Sequence, residues 1–90
     1  MYFVYVLRCV DTLRNRKKFY VGSTKNIQKR SLKHKTSSVK TTKSYNQIEL
    51  VYYEACLNKT DALKREKQLK TGFGRGYLRK RLENYLKKRD

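Results

Sequence analysis

Tyr2-Phe3-Val4-Tyr5-Val6-Leu7-Arg8-Cys9-Val10, followed after a polar interval by Lys18-Phe19-Tyr20-Val21-Gly22, decides how this chain folds. The first run is aromatic and β-branched, broken mainly by Arg8, and reads as a strand covered on both faces. The second reads as its return strand, and the basic stretch Asp11 to Lys17 as the hairpin loop between them. Alternate residues of a strand share a face, so Tyr5 and Tyr20 fall on one side of this hairpin.

Working outward, Ser23 or Thr24 offers an N-cap for a helix from about Lys25 to Lys35. Residues 36–47 are rich in Ser, Thr and Lys and read as a surface loop. Ile48 to Glu54 alternates loosely and reads as a third strand. Thr60 is a candidate cap for a second helix ending near Lys70, and Asp61 in its first turn suits the helix dipole. Gly72, Gly74 and Gly76 read either as a helix C-cap and turn, or as a loop whose bare backbone and Arg75 approach a phosphate. They do not fit the dinucleotide fingerprint. A third helix covers about Tyr77 to Lys88, with Leu78, Leu82, Tyr85 and Leu86 as its apolar stripe. The order ββαβαα predicts an α+β fold: a small three-stranded antiparallel sheet flanked by about three helices. Ninety residues make a single domain, 1–90, with its core over about 2–70 and a basic C-terminal helix at about 77–88.

Charge narrows the partner. Twenty-four Lys and Arg oppose seven Asp and Glu, for a net charge of +17. Twelve of the cations and one acid lie in residues 1–45, against twelve and six in residues 46–90. Such a field attracts a polyanion without sequence preference and with steep salt dependence. A basic ribosomal or chromatin binder would carry the same charge. Cys9 and Cys56 form no C-x-x-C, and one histidine cannot complete a zinc set, so the cysteines read as small core residues in a reducing compartment. No signal peptide or apolar run for a membrane is seen. The expectation is an intracellular protein (cytoplasm, nucleoid or nucleus), neither secreted nor membrane-bound.

Three sets of polar residues stand where core is expected. At roughly 100° per residue, Arg30 and His34 lie about 60° and 20° from Ile27, the apolar marker of the first helix. Snorkelling of the arginine past the core is the competing account. Glu66 falls about 40° from Ala62, within an arc defined by Ala62, Leu63 and Leu69. A carboxylate there is costly unless it is paired or binds a metal, and an i,i+4 pair with Lys70 is the alternative. Glu49 and Glu54 are further acidic candidates on the third strand. Tyr5 and Tyr20 read equally as ordinary core tyrosines.

Taken together, these residues resemble the GIY-YIG nuclease superfamily, over about Tyr2 to Lys70. Phe3-Val4-Tyr5 stands for its first motif and Tyr20-Val21-Gly22 for its second. Arg30 lies ten residues beyond Tyr20, as the family arginine does, and His34 takes a place filled there by tyrosine or histidine. Ala62-Leu63-Lys64-Arg65-Glu66 looks like the segment carrying the family glutamate. The run Leu50 to Glu54 and Arg65 to Lys70 look closest to small stand-alone members of bacterial type. Phe3 replaces the glycine of the first motif, the intervening hairpin is longer and more basic, and the downstream asparagine has no match, since Asn84 lies in a different helix.

The resemblance implies an endonuclease that hydrolyses phosphodiester bonds in DNA at a single site, leaving a 5′-phosphate and a 3′-hydroxyl. Glu66 would bind one divalent ion, Mg²⁺ or Mn²⁺. Arg30 would hold the scissile phosphate, and Tyr5 or Tyr20 would activate water, with the other tyrosine and His34 orienting it. A phenol titrates near about 10, and a neighbouring guanidinium, a metal and a positive field each lower it. Arg14, Arg16, Lys17, Lys18, Lys25, Lys40, Lys43, Lys70 and Arg75 are the expected nucleic-acid contacts, with the Arg79-Lys80-Arg81 cluster tracking the backbone. Such contacts position but do not specify. No helix-turn-helix or zinc finger accompanies them, so little sequence specificity is expected. A monomer or weak dimer, and a protein partner that supplies specificity, fit this picture. A catalytically weak or inactive binding module of the same fold is the alternative.

Overall fold

The computed structural model describes residues 1–35 and 42–89, the side chains of Lys35 and Arg89 apart. Two long strands, β1 (Tyr2–Asp11) and β2 (Arg16–Thr24), form the antiparallel hairpin, and β3 (Gln47–Cys56) pairs antiparallel with β1 on its other side. The order β2-β1-β3 puts β1 in the centre. Helix α1 (Ile27–Lys35) follows β2, while α2 (Lys59–Leu69), α3 (Gly72–Arg81) and α4 (Glu83–Arg89) follow β3. The architecture is the expected α+β fold.

Because β1 is central, its side chains divide between two cores. Val4 and Val6 join Val21, Ala62, Leu69 and Leu78 on the side of α2 and α3. Tyr5, Leu7 and Cys9 face the other way, with Tyr20, Ile27, Ile48 and Leu50 packed against them under α1. Continuous hydrophobicity in β1 thus reflects a strand buried from both sides. The loose alternation of β3 also has a cause. Val6 pairs with Tyr52 but Leu7 with Leu50, so Val51 is an extra residue in the ladder. This bulge lets Ile48 and Leu50 face α1 while Val51 and Tyr52 pack on the opposite core.

The helices differ from the sequence expectation in their caps, in the burial of one residue and in how the C-terminal segment divides. β2 stays paired to β1 as far as Thr24, so α1 cannot begin until the chain leaves the sheet. Asn26, not Ser23 or Thr24, takes the cap, its Oδ1 accepting from the Lys29 amide at 3.0 Å. Asn58 rather than Thr60 caps α2, accepting from the Thr60 and Asp61 amides. Leu63, expected in the buried arc of α2, is exposed, whereas Ala62 and Leu69 are buried.

The glycine segment is neither C-cap nor loop. It forms the first turns of α3, capped by Thr71, and no glycine among the described residues has positive φ. At Gly74 a Cβ would run into the backbone of Leu69, so the turn from α2 into α3 closes only because that side chain is missing. The single helix expected over 77–88 is two, interrupted at Leu82.

Two polar clamps hold the layers. Asp11 accepts from the Leu13 and Arg14 amides and pairs with Arg16 at 2.8 Å, closing a hairpin loop in which Asn15 takes a left-handed conformation. Arg65 of α2 bonds Glu54 of β3 through Nε and Nη2. Tyr52 donates to the same carboxylate, and Tyr77 of α3 packs on the guanidinium. Among the described residues, no helix is long and apolar enough to cross a membrane.

Candidate functional site

Tyr5 stands opposite Gly22 in the β1–β2 ladder, and Tyr20 opposite Leu7 on the same face. Their ring centroids are 6.3 Å apart. The glycine is a steric requirement: a Cβ at Gly22 would sit 2.5 Å from the Tyr5 hydroxyl oxygen. Above this floor, one turn of α1 brings down Arg30 and His34, which i,i+4 spacing places side by side.

The four side chains form one network. Arg30 Nε donates to the Tyr5 hydroxyl at 3.2 Å. That hydroxyl lies 3.1 Å from His34 Nε2, and His34 Nδ1 lies 2.8 Å from Thr42 Oγ1. The His34 ring also packs on Tyr20, at 4.9 Å between centroids. Tyr5, His34 and Thr42 are buried, and no buried side-chain polar atom among the described residues lacks a partner. With Tyr5 accepting from Arg30, its own proton is directed to Nε2, which leaves the proton of a neutral imidazole on Nδ1, facing Thr42.

Burial and the Arg30 charge lower the His34 pKa to about 4, so the ring is neutral near pH 7. Tyr5 moves against the sequence expectation. Burial raises its pKa and outweighs the hydrogen bond and charge of Arg30, which act to lower it. Arg30 is held still more firmly in its charged form, chiefly by its bond to Tyr5.

Glu66 occupies the other side of β2. Its Oε1 accepts from Ser23, the neighbour of Gly22, at 2.7 Å, and its Oε2 pairs with Lys70 at 2.8 Å. The i,i+4 pair weighed from the sequence is therefore present. Burial alone would raise the Glu66 pKa, but Lys70 and Ser23 more than offset it and keep the carboxyl below its usual range. Glu66 does not touch the tyrosine–arginine–histidine network, yet its charge reaches Tyr5 and helps raise it. β2 is an edge strand of the sheet, and it carries Tyr20 of the first group and Ser23, the partner of Glu66.

The basic candidates divide. Arg14 and Arg16 are tied to Asp11, and Arg16 also lies over the Tyr45 ring. Lys18 lies over Tyr45 and Lys25 over Tyr2. Lys70 is on Glu66. Lys43 and Arg75 are exposed, and Lys40 lies outside the described residues. Glu54, an acidic candidate, is engaged by Arg65 and Tyr52. Glu49 accepts from Tyr85 of α4. Sequence reasoning missed Thr42 and Ser23 as site partners. Adjacency to Gly22 was a signal for Ser23, but nothing in a polar loop singles out Thr42.

A divalent ion would find one carboxylate here, for among the described residues no three His, Cys, Asp or Glu side chains converge. A single carboxylate completed by water and substrate oxygens suits Mg²⁺ better than ions needing an all-protein cage. Lys70 is half exposed, and such a surface pair contributes no more than about 1 kcal/mol, so a cation can displace it. The donor set fits that limited role.

The family model of the GIY-YIG catalytic domain matches residues 1–80. Among curated relatives, a UPF0213 protein of Staphylococcus epidermidis is 38% identical over 71 residues, covering 78% of this chain and 80% of its own length. One from Staphylococcus aureus is 34% identical over 89 residues, covering 98% and 96%. One from Desulfotalea psychrophila is 35% identical over 71 residues, covering 77% and 60%. No solved structure matches the chain.

Proposed function

This chain belongs to the GIY-YIG catalytic-domain family, and on that premise we propose that it is a metal-dependent endonuclease. It hydrolyses phosphodiester bonds in DNA at a single site, with little sequence specificity. The observation that carries this reading is the Arg30–Tyr5–His34–Thr42 chain beside Tyr20, on a strand whose other face presents Glu66.

In this reading Arg30 binds the scissile phosphate and stabilises the charge it gains in the transition state. Tyr5, His34 and Thr42 hold the guanidinium, since the Tyr5 hydroxyl already accepts from Arg30 and faces Nε2 with its proton. Tyr20, half-buried on the same face, is the better placed of the two tyrosines to take a proton from water, because Tyr5 is buried and its pKa raised. Glu66 would hold the divalent ion, Mg²⁺ or Mn²⁺, with Ser23 fixing one carboxylate oxygen. When bound, that ion neutralises charge on the phosphate and on the leaving 3′-oxygen.

The test is cleavage of labelled single-stranded, duplex and branched DNA with Mg²⁺, with Mn²⁺ and with chelator, beside Glu66→Ala. Cleavage should require the metal and fall by about 10²-fold or more in the variant, the scale of losing one charge-stabilising group, while DNA binding persists. A folded, fully active Glu66→Ala protein would remove Glu66 from the mechanism. One observation favours a second reading, a binding module that does not cut: Lys70 pairs with Glu66 and neutralises it. Salt-sensitive binding with no cleavage in any lane selects it.

A further inference from the structure

A cavity of about 590 Å³ opens on the α2–α3 side of the sheet, outside the tyrosine–arginine–histidine network. Its size lies within the range of ligand sites, roughly 300–1,000 Å³. Phe19, Val21, Leu69, Leu78 and Leu86 give it an apolar lining drawn from β2, α2, α3 and α4. Lys17, Lys18, Lys70, Arg75 and Arg79 stand around that lining, and no acidic residue contributes. The cavity therefore combines an aromatic and aliphatic surface with positive charge alone.

Two of its residues also belong to the site at the β2 edge. Tyr20 borders the cavity and packs on His34. Lys70 borders it and pairs with Glu66. A strand whose scissile phosphate lay at the β2 edge would carry a neighbouring nucleotide to this opening.

We propose that the cavity receives an unpaired nucleotide of the DNA strand, its base on the half-buried Phe19 and Leu86 and its phosphates on Arg75, Arg79 and Lys70. Paired bases in a duplex keep their faces stacked and show only their edges in the grooves, so a concave apolar lining gains little from them. An unpaired base offers a π-face and its own apolar area, and its flanking phosphates meet the cations. The nuclease would thus favour DNA with single-stranded tails or junctions over continuous duplex. This deepens the nuclease reading by naming its substrate class, and rests on it only in taking DNA as the partner.

The test measures binding in chelator, where no cleavage complicates it, using three DNA hairpins with the same stem, each closed by a non-nucleotide glycol linker so that the loop offers no unpaired base. One is blunt, one has a three-nucleotide 3′ tail and one a three-nucleotide 5′ tail. At least one tailed hairpin should bind about fivefold or more tighter than the blunt one, the low end of a base-stacking contribution. Phe19→Ala should abolish that preference. If Phe19→Ala fails to fold, the exposed pair Arg75→Glu and Arg79→Glu decides, and should remove the preference likewise. Equal binding of all three hairpins overturns the proposal, as does a preference that survives in the folded variants. A tail preference without metal-dependent cleavage keeps the cavity and sinks the nuclease reading, and cleavage without tail preference does the reverse.

Discussion

His34 governs the order of the hydrogen bonds at the site. It must accept from Tyr5 through Nε2 and donate to Thr42 through Nδ1, and it does both only when neutral. Its pKa in the fold, about 4, lies below the unperturbed value of 6.5. Between those values the unfolded chain binds the proton more readily, so acid destabilises the fold. His34 is the only histidine. The paired carboxylates Glu54, Glu66 and Asp11 are also depressed, and they begin to draw stability away about one pH unit above their unfolded values of 4.5, 4.5 and 3.8. The window from roughly pH 6.5 to 5.5 therefore reports chiefly on His34. Unfolding stability should fall across it by on the order of 1 kcal/mol, in urea titrations at each pH. His34→Gln should flatten that dependence, and an unchanged slope in the variant would show that the imidazole is not the group responsible.

At the scale of elements, the β1–β2 ladder and the helix caps carry the specific claims. The Tyr5 ring occupies the space above Gly22, so Gly22→Ala must displace the ring or part the strands. Overpacking of this kind costs about 1–3 kcal/mol. The variant should melt lower, and should lose cleavage even at temperatures where circular dichroism shows it folded. Wild-type cleavage by a folded Gly22→Ala protein would mean that the Tyr5 position is not critical. The caps give a cleaner comparison. Asn58→Ala removes the acceptor of two α2 amides and should cost about 1 kcal/mol, whereas Thr60→Ala should cost much less. The reverse ranking in thermal melts would restore Thr60 as the cap.

Across the whole molecule, the net charge of +17 sets how the protein meets DNA. Not every cation is available equally, because Arg14 and Arg16 brace the hairpin on Asp11 and Arg65 clamps β3 to α2. Even six phosphate contacts would weaken binding by about 10³-fold between 50 and 200 mM salt. A fluorescence-anisotropy titration should show that decline as a straight line in log affinity against log salt. A flat line would mean that apolar contacts, not counterion release, dominate.

Local pattern was enough for much of this. Aromatic and β-branched runs dictate strands, and the strand and helix periods put Tyr5 with Tyr20 and Arg30 with His34, because those periods are properties of neighbouring residues. The order ββαβαα was legible for the same reason. What the chain alone left open depends on contacts between residues distant in sequence. The β3 bulge exists because two cores compete for its side chains. The turn from α2 into α3 closes because Gly74 lacks the Cβ that would meet the Leu69 backbone, and Asn58, two residues past the end of β3 at Cys56, caps α2. Thr42 reaches His34, Ser23 reaches Glu66, and burial rather than Arg30 governs Tyr5. Desolvation and cross-strand contact come into being only when the layers close, so only the tertiary structure decided them.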